Sequence, residues 1–440
     1  MLQKILIIGA GRSASTLIKY LSDESINNNF QIKVGDKNLS LVEENIKFYP
    51  RVEVINFDVN DPIQRAYEIK IADLIISMLP ANFHYTVAKD CVKFSKNLVT
   101  ASYVSNEIRS LDKQAKNKGI ILLNEIGLDP GIDHMSAMKI IDNIKSDGGN
   151  LKSFKSYCGG LVDPKSISGP WEYKFTWNPR NVILAGQGTA QYIENGKHKY
   201  IPYHRLFKRT EKISIHNQGE FEAYANRDSL SYREIYGLNN IPTLFRGTLR
   251  RIGFSESWDI FVELGMTDDS YEMDVSGMTY VDFLNSFMKT SNKSAKEDLK
   301  KYFNTNDYVL NKIDWLGFFG NTKINIEKAT PAQVLQSILE DKWALRDNDN
   351  DMIVMQHQFT YEKEGRVHEL HSSFVTYGED KTFTGMSKTV GLPVGIAAKL
   401  ILSKEIREKG VKVPVTKDIY IPVLNELKRF GISFIEKQIN

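Results

Sequence analysis

Lys4-Ile5-Leu6-Ile7-Ile8-Gly9-Ala10-Gly11-Arg12-Ser13-Ala14 runs from an apolar strand straight into a glycine turn. Leu17, Ile18 and Leu21 follow at the three- and four-residue spacing of an amphipathic helix. Strand, turn and helix in this order frame the GxGxxA form of the dinucleotide fingerprint. Its glycines permit the tight turn and the close approach of a pyrophosphate to the helix N-terminus, and Ala14 is small enough for helix to pack on strand. Gly9, Gly11, Arg12 and Ser13 are therefore the first candidate cofactor contacts.

Working outward, a second strand over Gln31 to Val34 ends at Gly35-Asp36. An acidic residue at that place accepts hydrogen bonds from the adenosine ribose hydroxyls and repels a 2′-phosphate, so NAD is expected ahead of NADP. A solvated turn residue is the plainer reading of Asp36, and Lys37 stands beside it. Further strands are expected at Val52 to Phe57, Leu74 to Met78, Asn97 to Ala101 and Gly119 to Leu123, separated by polar or helical stretches. Such alternation predicts a doubly wound parallel sheet of the α/β class. Ligands bind beyond the carboxyl ends of such strands, which nominates Asp58-Val59, the Ser77 to Pro80 loop with Leu79, and Ala101-Ser102-Tyr103. The first should lie near adenine and the last near nicotinamide; each is also compatible with an ordinary connecting loop.

After the last of these strands comes Asn124-Glu125-Ile126-Gly127-Leu128-Asp129-Pro130-Gly131-Ile132-Asp133-His134. Asp129 stands where a helix N-cap would be and Pro130 where the first helical residue would be. Ala137, Ile140, Ile141 and Ile144 then mark the apolar stripe of a helix. Gly127, Leu128 and Asp129 bring backbone N–H groups and a carboxylate into one small space, which suits anionic ligands and proton transfer. Asp129 as a cap and nothing more is the competing reading.

From Leu151 the sequence becomes aromatic with alternating polarity, predicting strands at Phe154 to Cys158, Tyr173 to Trp177, Phe221 to Tyr224, Asp351 to Tyr361 and Val367 to Tyr377. A largely antiparallel α+β region follows from that pattern. Residues 280–345 are helical in pattern, and Ser387, Thr389, Gly391 and Pro393 read as start signals for a buried helix over Val394 to Leu402.

Composition narrows the possible functions. Lys and Arg number 57 against 54 Asp and Glu, a net +3, too near balance for nucleic-acid or membrane binding by bulk charge. Two distant cysteines, Cys91 and Cys158, make neither a disulfide framework nor a zinc site, and a reducing cytoplasm fits them. No cleavable signal pattern and no apolar run long enough for a bilayer is expected. His368 and His371 lack zincin spacing, so no metal site is expected, and neither a P-loop nor a Ser/His/Asp order supports a kinase or hydrolase.

Arg227, in Asn226-Arg227-Asp228-Ser229, and Arg246, in Arg246-Gly247-Thr248, lie in turn-like contexts and could clamp carboxylates in a bidentate manner, though surface placement is the common fate of an arginine. Cys158, in Tyr157-Cys158-Gly159-Gly160, reads as a site thiol or as a buried structural cysteine.

Taken together, the Asn124 to His134 stretch, Ser156 to Leu161, Tyr173 to Trp177, Asn226 to Ser229, Arg246 to Arg250 and Thr389 to Pro393 resemble the saccharopine dehydrogenase family of the glutamate-forming type, over nearly the whole chain. The resemblance implies a Rossmann dinucleotide-binding domain over 1–128 and 385–440, a substrate-binding and dimerisation α+β domain over 129–279 and 346–384, and a helical subdomain over 280–345. It also implies a homodimer, and interconversion of saccharopine, NAD(P) and water with glutamate and 2-aminoadipate 6-semialdehyde. Positions matching Tyr103, Asp129 and Cys158 lie near the reacting centre in that family, and those matching Ser102, Arg227, Arg246, Gly247 and Thr248 contact saccharopine. Fungal relatives use NADP and carry a basic residue near the end of the second strand, from which Asp36 departs. In that chemistry hydride leaves the lysyl Cε, the secondary amine loses a proton, and water attacks the imine, with Asp129 as general base or water-orienting group. A related imine reductase such as a carboxynorspermidine-forming enzyme, or a dinucleotide sensor without turnover, are the alternatives.

Overall fold

Ile5 through Ile8 are each no more than 1% exposed, as a strand covered on both faces requires. In the computed structural model, which describes residues 2–39, 46, 49–291 and 293–439, that strand spans Gln3–Ile8 at the centre of a parallel sheet. The strand order is Gly410–Lys412, Ile121–Leu123, Asn97–Val99, Leu74–Ser77, Gln3–Ile8, Phe30–Asp36, Val52–Asn56. The order reverses direction beside Gln3–Ile8, so the crevice between the Gln3–Ile8 and Leu74–Ser77 ends is the place where a doubly wound sheet takes its ligand.

The chain divides into two compact units, Met1–Asn150 with Phe374–Ile435, and Leu151–Ser373 with Glu436–Asn440. Helix Ile132–Ser146 belongs to the first unit, whereas the resemblance implied a boundary at residue 128 with 129–279 in the substrate-binding domain. It packs against helix Lys417–Leu427, and Tyr420 Oη donates to Asp142 Oδ2 at 2.7 Å. The C-terminal segment thus completes the unit begun by the N-terminal one.

The C-terminal helix runs over Gly385–Leu402, nine residues longer than the expected Val394 to Leu402, with Thr384 capping Ser387 N–H. Pro393 lies inside it rather than at its start. Gly391 and Gly395 let it press on the first helix: a Cβ on either would come within 2.8 Å of Leu17 N or 2.7 Å of Tyr20 Cδ1. By length and composition this helix could cross a membrane, which the sequence reading had not foreseen, but 83% of it is buried inside the protein.

The second unit is built on a nine-stranded sheet whose main path is Thr210–Ile215, Gly219–Ala225, Thr243–Arg250, Asn150–Val162, Asp351–Lys363, Arg366–Tyr377, Ile435–Gln438. It is mixed rather than wholly antiparallel, because Thr243–Arg250 pairs in parallel with Asn150–Val162. Helices Tyr280–Asn285, Ala295–Phe303, Asp307–Trp315 and Pro331–Trp343 occupy the expected helical stretch within this unit. Tyr173 to Trp177 is not a strand. Its residues Tyr173 to Thr176 are all buried, with Tyr173 and Phe175 edge-on to Trp343 at 5.0 and 5.3 Å and Phe175 N–H donating to Trp343 O. An aromatic cluster, not a ladder, holds the segment.

Candidate functional site

The dinucleotide turn is built as its residues demand. Gly9 has φ +97°, and a Cβ there would come within 2.9 Å of Met78 O, so the turn passes hard against the Leu74–Ser77 strand end. Gly11 faces open space, with no atom within 4 Å of a Cβ built on it. Helix Ser15–Ser25 begins behind it with no side-chain cap and no acidic residue in its first turn, leaving a positive end suited to a phosphate. Arg12 is exposed and Ser13 half-buried in the same turn. These features fit a dinucleotide pyrophosphate.

Asp36 ends the second strand, as expected, and does more than face solvent. Its Oδ2 accepts from Ala10 N–H and its Oδ1 from Asn38 N–H, each at 2.8 Å, which ties the glycine turn to the second strand. Asp58, at the end of the neighbouring strand, pairs with Lys37 at 3.2 Å. The Asn60 backbone N–H first, and then Lys37, hold its carboxyl below the usual carboxylate range. Val59 is buried and Leu79 half-buried in their loops.

At the far side of the switch point the loops after Asn97–Val99 and Ile121–Leu123 are wired together. Glu125, at φ +57°, donates its N–H to Ser102 O at 3.0 Å. Its carboxylate accepts from Val104 N–H at 3.0 Å and lies 2.9 Å from His134 Nε2. Tyr103 Oη reaches Asp129 Oδ1 at 3.3 Å. The structure thus brings Ser102, Tyr103, Gly127, Leu128 and Asp129 into one cluster of this unit.

Asp129 is not the helix cap. The helix starts at Ile132 with Gly131 as its N-cap residue at φ +145°, and Asp133 Oδ1 accepts Gly131 N–H at 2.6 Å. Gly127 N–H donates to Pro130 O and Ile132 N–H to Gly127 O, closing a tight turn in which a Cβ on Gly131 would stand 2.1 Å from Gly127 O. Asp129 and Pro130, joined by a cis peptide bond, form the tip of that turn rather than the first helical turn. The Asp129 carboxylate accepts from the Tyr103 hydroxyl.

In the second unit, the parallel register sets Arg246 beside Ser156 and Thr248 beside Cys158. Register partners project from the same face, so Arg246, Thr248 and Cys158 share one side of the sheet. Arg246 is 3% exposed, with its guanidinium carbon 4.3 Å from the centre of the Tyr232 ring. Arg227 sits in an exposed turn at φ +38°, and its side chain makes no hydrogen bond among the described residues. Asn226 N–H donates to Arg246 O at 2.8 Å, which ties that turn to the Arg246 strand. Gly247 alternates to the other face, where a Cβ would come 2.9 Å from Tyr157 Cδ1. The Tyr157 ring accounts for its glycine. A cavity of about 200 Å³ lined by Lys155, Tyr192, Glu211 and Phe245 also lies on that other face, away from Arg246 and Cys158.

Sequence reading missed His84. It lies 1% exposed in helix Ala81–Phe94, with Nδ1 2.9 Å from Ser77 Oγ and Nε2 2.6 Å from Ser102 Oγ. The available signal was a polar residue on the stripe of Val87, Ala88 and Cys91 that this helix buries. Among the described residues no cluster of His, Cys, Asp and Glu could hold a metal ion.

A parallel sheet with a glycine cradle at its switch point, and a carboxylate paired to a phenol beyond its strand ends, defines a nicotinamide-dinucleotide-dependent oxidoreductase. Residues 5–123 match the saccharopine dehydrogenase NADP binding domain and residues 127–432 the saccharopine dehydrogenase C-terminal domain. The chain belongs to the saccharopine dehydrogenase family. It is 33% identical over 99% of both chains to saccharopine dehydrogenase [NADP(+), L-glutamate-forming] of Schizosaccharomyces pombe. It is 34% identical to the mitochondrial alpha-aminoadipic semialdehyde synthase of Rattus norvegicus, of whose length it spans 47%. Apo saccharopine dehydrogenase (L-Glu forming) from Saccharomyces cerevisiae superposes with a TM-score of 0.90 at 32% identity, over 100% of both chains.

Proposed function

We propose that this chain interconverts saccharopine, a nicotinamide dinucleotide and water with L-glutamate and 2-aminoadipate 6-semialdehyde, a step of lysine metabolism. The observation that carries the reading is the Tyr103–Asp129 pair, a carboxylate held by a phenol beside the dinucleotide sheet, in a turn ahead of a helix whose N-cap is Gly131. The bound dinucleotide supplies the hydride acceptor. Asp129 takes the proton from the secondary amine or orients the water that attacks the imine, and Tyr103 fixes the carboxylate. Ser102 contacts the ligand from the same loop. Arg246 and Arg227, one buried against a ring and one in an exposed turn with no side-chain hydrogen bond among the described residues, take substrate carboxylates, with Thr248 and Cys158 beside Arg246 on its face. Three carboxylates on saccharopine give both arginines work.

Within this reading NAD is preferred. The relatives' names specify NADP(+), but Asp36 puts a negative charge at the end of the second strand, already committed to the glycine turn through Ala10. The enzyme is read as a homodimer, as the family resemblance implies, and as a protein of the reducing cytoplasm, in keeping with two buried cysteines that form no disulfide. The test is an assay with saccharopine and each dinucleotide in turn, following absorbance of the reduced nicotinamide. Turnover with a higher kcat/KM for NAD is expected; no turnover with either dinucleotide while both bind would leave a sensor.

A further inference from the structure

Ser77 is fully buried, and among the described residues its hydroxyl has one hydrogen-bond partner, His84 Nδ1 at 2.9 Å. A buried O–H left without an acceptor is costly, so Ser77 donates to Nδ1 and that nitrogen keeps its lone pair. The single ring proton of a neutral imidazole then sits on Nε2, which donates to Ser102 Oγ at 2.6 Å. Ser102 Oγ accepts this bond and has no other side-chain or backbone partner among the described residues. Its own proton is therefore not used by His84 and is left to donate elsewhere.

We infer that His84 is a positioning residue that keeps the Ser102 hydroxyl proton free for the ligand, so that Ser102 offers a donor to a carboxylate or carboxamide oxygen of that ligand. The assignment rests on the functional reading above for the identity of that ligand, and on the hydrogen-bond chain alone for its polarity. Burial keeps the imidazole neutral, pushing its pKa down to about 4, so the chain holds one direction at neutral pH. A protonated His84 would have to donate to both serines, and Ser77 would lose its acceptor.

Two measurements test this. Histidine labelled with nitrogen-15 gives the His84 ring by NMR, assigned from the signals missing in His84→Gln; a proton on Nε2 and none on Nδ1 is expected at neutral pH, and a proton on Nδ1 overturns the inference. Kinetics of two variants read its consequence. The glutamine amide reaches near the place of Nε2 and can still donate to Ser102, whereas the asparagine amide stops near the place of Nδ1. His84→Gln should stay within about threefold of wild type, while His84→Asn at a matching Tm should lose about tenfold or more in kcat/KM, the scale of one hydrogen bond to a charged acceptor. A rise in the KM for saccharopine identifies a substrate carboxylate as the acceptor, and a rise for the dinucleotide its carboxamide. Equal losses in the two variants, tracking Tm, would reduce His84 to a packing residue. Absence of saccharopine turnover in the wild type would sink the proposed function and leave the tautomer result standing.

Discussion

The two units prepare their functional side chains in opposite ways. In the first, every candidate except Asp36 lies on a loop past a strand end, and polar bonds tie the loops that carry Ser102, Tyr103 and Asp129 to one another, to a strand end and to two helices: Ser77 to His84 to Ser102, Glu125 to Val104 and His134, Tyr103 to Asp129. In the second, Arg246, Thr248 and Cys158 stand on adjacent strands, where pairing register fixes their spacing and a ring packs on the guanidinium. Loops wired by hydrogen bonds place groups that exchange protons. A ladder places groups whose work is to present a fixed charge.

If that contrast holds, the largest loss should come from the wired side. Asp129→Asn keeps a Tyr103 acceptor and removes the base, so kcat should fall about 10²–10⁴-fold with little change in Tm. Unchanged kcat would return the proton transfer to another group. Arg246→Ala should follow, with kcat/KM for saccharopine down roughly 10²–10³-fold, the cost of removing one partner of a buried charge pair. Arg246→Lys should recover only part of this, because an ammonium keeps the charge and loses the fork. A substrate KM indifferent to both changes would mean the sheet face serves something other than carboxylate recognition.

The same contrast explains what was legible in the amino-acid sequence. The parallel sheet was, because apolar runs such as Leu74 to Ser77 and a glycine fingerprint are local patterns. Asp129-Pro130 imitated a cap and a first helical residue, and only the closure of Gly127 on Gly131, which needs two glycines in contact, reveals that the helix starts later. Tyr173 to Trp177 alternated like a strand, yet its aromatic residues pack on Trp343 and Phe254, far along the chain, instead of pairing in a ladder. The partners of His84 were invisible for a related reason: they lie 7 and 18 residues away, and nothing in one helix reports a serine on the next loop.

The wiring has a pH signature. Burial holds His84 at about 4 in the folded chain against 6.5 in the unfolded one. Between these values the unfolded chain binds more protons, so stability that is complete above pH 6.5 drains away as pH falls toward 4. A shift of this size corresponds to about 3 kcal/mol. Urea unfolding at neutral pH and near pH 4.5 should show His84→Gln losing less stability between the two than wild type by a large part of that amount. Equal losses would mean that water reaches the imidazole.

The smallest effect expected concerns Asp36, the one strand-borne candidate of the first unit, and it separates two roles that one carboxylate performs. As a charge, Asp36 should disfavour a 2′-phosphate; as an acceptor, it holds Ala10 N–H and so the shape of the glycine turn. Asp36→Asn removes the charge and keeps an oxygen for Ala10, whereas Asp36→Ala removes both. Unit charges about 4 Å apart interact by about 1 kcal/mol in bulk water and about 4 kcal/mol near a protein surface, so either variant should shift the NAD to NADP ratio of kcat/KM toward NADP by about tenfold or more. Only Asp36→Ala should also raise the KM for both dinucleotides, because only it loosens the turn. A ratio that moves in neither variant would strip Asp36 of its part in cofactor choice, and a KM that rises equally in both would show that the turn needs the carboxylate's charge and not merely its oxygen.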